Sequence, residues 1–103
     1  MTQRALKAAI RDREVIVLMG WDRPLQYRYM VIDSVDSDDE PLYSNRSDDE
    51  AGLRGKLAYF TKKARSFGTE IPSAMLARIQ ADEALNLANG ASTFDAAGVE
   101  TQE

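Results

Sequence analysis

The chain has 103 residues, 44% of them hydrophobic, with 17 acidic against 13 basic side chains and a net charge of −4. That length fits one domain with one modest core, well above the roughly 40 residues below which staples are needed. Cysteine and histidine are both absent, which excludes disulfides, thiolate nucleophiles, cysteine or histidine metal sites and a histidine-dependent hydrolase triad.

The acidic balance argues against a whole-molecule nucleic-acid binder. The longest apolar run near the N-terminus, Val15 to Met19, is far too short to span a bilayer. No apolar signal-peptide core precedes Arg11, Asp12 and Arg13, so no membrane association and a cytoplasmic location are expected.

Residues 1–13 leave two readings open. Ala5, Leu6, Ala9 and Ile10 share a helical stripe that Thr2 can cap, which predicts a short helix. The alternative is a frayed basic arm. Glu14 to Gly20 reads as a strand, because Val15, Ile16 and Val17 are β-branched. Gly20 invites a bend or bulge at its end. Trp21-Asp22-Arg23-Pro24 reads as the turn and Leu25 to Asp33 as the second strand. Leu25, Tyr27, Tyr29 and Val31 alternate with Gln26, Arg28, Met30 and Ile32, and the aromatic set is expected to face the helices. An uncovered Met30/Ile32 face would make a homodimer the natural outcome.

Ser34 to Glu40 is a polar loop, and Pro41 to Ser44 suggests a brief third strand. Ser47-Asp48-Asp49-Glu50 has the pattern of a capping box. Behind it, Leu53, Leu57, Phe60, Ala64 and Phe67 keep a helical rhythm that ends at Gly68. Pro72 opens a last helix running to Ala88, with Met75, Leu76 and Ile79 inward. Ala91 to Glu103 lacks periodicity and reads as a mobile tail. The expected organisation is therefore one α+β domain over residues 1–90 and a tail over 91–103. Its core would be a small antiparallel sheet of two or three strands, packed on two C-terminal helices, with a candidate N-terminal helix.

The run Met19-Gly20-Trp21-Asp22-Arg23-Pro24-Leu25-Gln26, then Tyr29-Met30-Val31-Ile32 and Ile71-Pro72-Ser73-Ala74-Met75-Leu76, resembles small uncharacterised proteins of proteobacteria and their mobile elements. The resemblance spans about half the chain. It implies no activity, ligand or functional residue, but it does imply an accessory role, binding and modulating a partner protein.

Two stretches are candidates for partner binding. From Asp33 to Glu50 eight carboxylates meet one cation, Arg46, a balance of −7. Such a patch steers a basic partner, and Asp36, Asp38, Asp39 and Glu40 are its centre. The EF-hand calcium motif fails on spacing, since Pro41 and Ser47 stand where its glycine and glutamate should be. The second stretch is the hairpin tip, where Trp21, Asp22 and Arg23 combine residue types enriched at interface hot spots; the bland alternative folds Trp21 over the core. A basic stripe of Arg54, Lys56, Lys62, Lys63 and Arg65 offers phosphate contacts as a competing reading. No cofactor or metal site is expected, and no enzymatic activity, because no spacing brings a carboxylate pair into a cleft. The leading expectation is a small acidic protein-interaction module.

Overall fold

The structure is a computed structural model, and it describes residues 1–35, 40–51 and 55–102. Six strands form one mixed sheet: β1 (Thr2–Ile10), β2 (Arg13–Asp22), β3 (Tyr27–Ser34), β4 (Tyr43–Ser44), β5 (Gly90–Phe94) and β6 (Glu100–Gln102). Their order is β4-β3-β2-β1-β5-β6. All neighbours are antiparallel except β1 and β5, which run parallel. Helices α1 (Leu57–Phe67) and α2 (Ser73–Ala84) cross between β4 and β5. The expected sheet of two or three strands is thus corrected to six.

Three segments account for the correction. Residues 2–10 are a strand, not a helix or a free arm, because burial alternates: Thr2, Arg4 and Leu6 are buried and Gln3 and Lys7 exposed. The β1–β2 turn has Arg11 and Asp12 both at positive φ, 52° and 66°. This is the backbone twist that two-residue hairpin turns require. The segment expected as a mobile tail instead supplies β5 and β6, with Ser92 and Phe94 buried.

The sheet places the core on one face only. Across paired strands Leu6, Val17 and Ile32 align, as do Arg4, Met19 and Met30. These side chains are at most 1% exposed, and the apolar ones pack with Phe60, Ala64, Met75 and Ile79 of the helices. The Met30/Ile32 face therefore meets the helices, and Tyr27 and Tyr29 lie on the other. The cross-strand partners decide this: Tyr29 pairs with Gly20, whereas Met30 pairs with Met19. Helix α1 stops at Gly68, whose φ of 103° places it in the left-handed region, where a Cβ is strained. Helix α2 ends at Ala84, earlier than Ala88.

One charged cluster is built into the core. Arg4 is 1% exposed, and its Nε and Nη2 donate to the two carboxylate oxygens of Asp82, both at 2.9 Å. Its Nη1 donates to Ser92 Oγ at 3.0 Å and lies 3.8 Å from Glu100. Arg78 stands 3.4 Å from the same Glu100 oxygen. The bidentate fork ties β1 to α2 and, through Ser92, to β5. Among the described residues no helix is long and apolar enough to cross a membrane.

Candidate interaction site

The structure separates the two stretches expected to form one partner-binding surface. Trp21 and Asp22 end β2, beside the start of β3, whereas Glu40 follows the far end of β3. Eight residues of strand, about 25 Å, lie between them. Asp36, Asp38 and Asp39 lie outside the described residues.

At the hairpin end, Trp21 is 5% exposed and Asp22 8%. The indole Nε1 donates to Asn86 Oδ1 at 3.0 Å, and Gln26 Nε2 donates to the same oxygen at 2.8 Å. Asp22 Oδ1 accepts from the Leu25 amide at 3.3 Å. Both side chains thus serve to hold the turn. What the turn presents to solvent is Arg23, Pro24, Leu25 and Gln26, with Leu25 63% exposed.

At the other end, Glu40 is exposed and borders a groove of about 680 Å³ that also meets Leu42, Tyr43, Arg46, Asp48 and Lys63. Its floor is a cluster not foreseen in the sequence. Asp48 Oδ2 accepts from the hydroxyls of Tyr43 and Tyr59, both at 2.7 Å, and Asp48 Oδ1 accepts from the Glu50 amide at 3.1 Å. Lys63 Nζ lies 3.9 Å from the carboxylate, 5.7 Å from the Tyr43 ring centre and 5.6 Å from that of Tyr59. Two aromatic faces and a carboxylate thus surround an ammonium, the arrangement by which aromatic cages hold cations. A second depression, of about 220 Å³ and bordered by Glu50, Tyr59 and Lys62, opens on the other side of Lys63.

Local structure explains the cluster. Tyr43 is fixed by β4, which pairs it with Ile32. Residues 45–47 and 49–51 form 3-10 turns that bring Asp48 back under it. Tyr59 and Lys63 are one turn apart on α1, so they share a face. That spacing was the one signal available. Ser47 to Glu50 reads equally well as a helix cap, and this hid the role of Asp48.

The electrostatics hold Asp48, Tyr43 and Tyr59 each in one protonation state near neutrality. The Tyr43 and Tyr59 hydroxyls keep the Asp48 carboxyl below its ordinary 3.8, with Lys63 adding to the effect. Hydrogen bonding to Asp48 pushes the Tyr59 phenol up to about 12. Tyr43 is raised by desolvation and then by Asp48. Desolvation and the Asp22 charge raise Tyr29 to about 12. The cluster therefore offers fixed charge and fixed donors. The stability that Tyr29 and Tyr59 contribute is complete below the ordinary phenol value of 10.0 and is lost as pH rises through about 12. That from Asp48 is present above 3.8 and lost as pH falls below it. Ultraviolet titration should show Tyr29 and Tyr59 ionising only around pH 12, together with alkaline unfolding. A single phenolate transition at the ordinary value, with the fold intact, would contradict the hydrogen bonds.

The basic stripe is partly consumed. Arg65 makes a bidentate pair with Glu70, both contacts at 2.7 Å, and Lys63 belongs to the Asp48 cluster. Lys56 and Lys62 remain exposed, and Arg54 lies outside the described residues. Among the described residues no three acidic side chains converge as a metal site would require.

No family model matches the chain, and no curated protein or solved structure matches it either.

Proposed function

We propose that this chain is a small, acidic, non-enzymatic interaction module, an accessory or inhibitory protein of the bacterial cytoplasm. The groove over Asp48 receives a basic segment of its partner protein. One observation carries this reading: Glu40 stands exposed at the mouth of a groove whose wall, from Glu40 to Asp48, comes from the stretch that holds −7. A partner's lysine or arginine there gains long-range attraction and pairs with the exposed Glu40 at the rim, since Lys63 already occupies the aromatic side of Asp48. The accessory role implied by the resemblance agrees with a surface that binds without reacting.

A lysine- and arginine-rich peptide titrated against the full chain should bind at low salt, and the affinity should fall as salt rises. A glutamate-rich peptide of equal length should not bind. Glu40→Lys, at an exposed position, should weaken binding by about tenfold, a loss of about 1.4 kcal/mol. Absence of binding at low salt would sink the proposal, and so would affinity indifferent to Glu40→Lys.

A further inference from the structure

The sheet has a second face, opposite the helices. Its side chains fall in cross-strand rows. Ala5, Leu18 and Val31 form one row, and Lys7, Ile16 and Asp33 the next, with β2 in the middle of both. Ala5, Ile16, Leu18 and Val31 are only half-buried, while Lys7, Glu14 and Asp33 are exposed. A trough of about 640 Å³ runs past Lys7, Glu14, Ile16 and Val35, and Val35 is 50% exposed. The helices' buried apolar side chains join the core on the other side and buried Asp82 pairs with Arg4 there, so among the described residues no helix covers this face.

We propose that this face joins a second copy of the chain, sheet against sheet, about a twofold axis lying along β2. The charge layout selects that occupant. Lys7 and Asp33 flank Ile16 in one row, one strand to either side of β2. Rotation about β2 sets Lys7 of each copy opposite Asp33 of the other, so two complementary ion pairs form from a single residue pair. The same rotation puts Leu18 on Leu18 and Ile16 on Ile16 along the axis, and Ala5 opposite Val31, so the centre of the contact is apolar. Aligned sheets pack in this way about 10 Å apart, and an isologous contact requires a surface complementary to itself. The exception is Glu14, which on β2 falls near its own copy at the rim.

The size of the face sets the strength. Strands β3, β2 and β1, which this rotation lays over β1, β2 and β3 of the copy, about 4.8 Å apart and about seven residues long at 3.3 Å each, project roughly 330 Å² per copy. That is below the roughly 800 Å² per partner of a standard interface, so the dimer is reversible and concentration-dependent.

Sedimentation equilibrium on the full chain tests this. The expected mass climbs from monomer towards twice that value with concentration. Lys7→Glu should weaken association by at least about tenfold, one lost charge pair per side. The double variant Lys7→Glu/Asp33→Lys should restore it, and Glu14→Gln should tighten it by relieving the rim repulsion. Lys7, Glu14 and Asp33 are exposed, so these variants leave the core intact. A monomer mass at every concentration would overturn the proposal. A dimer indifferent to Lys7→Glu, or one that the double variant fails to restore, would place the contact elsewhere and overturn it equally.

Discussion

Asp82→Ala is expected to cost about 3–5 kcal/mol of folding stability, the penalty for stranding one member of a buried ion pair. Arg4 is 1% exposed, and both of its contacts with the carboxylate are direct hydrogen bonds of 2.9 Å. Without Asp82 the guanidinium keeps Ser92 at 3.0 Å and Glu100 at 3.8 Å, which leaves donors unpaired in a site that water does not reach. For a chain of this size, a loss of 3 kcal/mol lowers Tm by about 12 °C or more. The double variant Arg4→Met/Asp82→Leu should recover most of the loss. A buried pair replaced by apolar groups of similar size is close to neutral, because the desolvation penalty disappears along with the attraction. Urea denaturation of Arg4→Met, Asp82→Leu and the double variant closes the cycle. A loss under about 1 kcal/mol for Asp82→Ala would mean that Glu100 takes over the guanidinium.

The same arginine explains why the first strand was hard to see in the sequence. Thr2, Arg4 and Leu6 point into the core and Gln3 and Lys7 outward. An arginine at an inward position reads as polar, so the period of two is masked. Ala5, Leu6, Ala9 and Ile10 then mimic a helical stripe. The β1–β2 turn carries Arg11-Asp12 where asparagine-glycine or aspartate-glycine would have signalled a hairpin. Strands β5 and β6 were harder still. They are short, small or polar in composition apart from Phe94, and β5 owes its place to pairing with β1 some 90 residues earlier. Local propensity carries little information about such a contact.

Elements whose evidence is local were legible. The β2–β3 hairpin, the brief strand at Tyr43 and the end of the helix at Gly68 follow from β-branched runs, alternation and a glycine stop, although the turn lies at residues 23–26 rather than 21–24 and the helix begins at Leu57 rather than behind the Ser47–Glu50 cap pattern. The face assignment was not, since Tyr27/Tyr29 and Met30/Ile32 are both sufficiently apolar to pack. Only the register against β2 separates them. The geometry of the candidate site was not legible, and the groove sets Arg46 and Lys63 beside Glu40 and Asp48. The −7 stretch is visible from composition, whereas the junction of Tyr43, Asp48, Tyr59 and Lys63 needs β4 and α1 placed side by side.

Gly20→Ala is the second large effect expected, at about 3 kcal/mol. The paired register of β1 and β2 runs from Ile10–Arg13 to Arg4–Met19 and stops beside Gly20. There the start of β1 closes over the glycine. A Cβ at Gly20 would stand 2.1 Å from the Thr2 carbonyl oxygen and 2.9 Å from its carbon. Those are backbone atoms, so no side-chain rotation relieves the clash, and the start of β1 must lift away. Lifting it breaks two buried hydrogen bonds: the Tyr29 hydroxyl donates to the Thr2 carbonyl at 2.5 Å, and the Trp21 amide donates to Thr2 Oγ1 at 3.0 Å. Each leaves a polar group without its partner, at about 1–3 kcal/mol apiece if water cannot replace it. Freeing the Tyr29 hydroxyl should also lower its ionisation from about 12 towards the ordinary value of 10.0 as solvent reaches the ring. Denaturation midpoints and phenolate titration of Gly20→Ala therefore report one event. An unchanged midpoint would show that β1 does not close over Gly20. A lower midpoint with Tyr29 still ionising near 12 would place the strain away from Thr2.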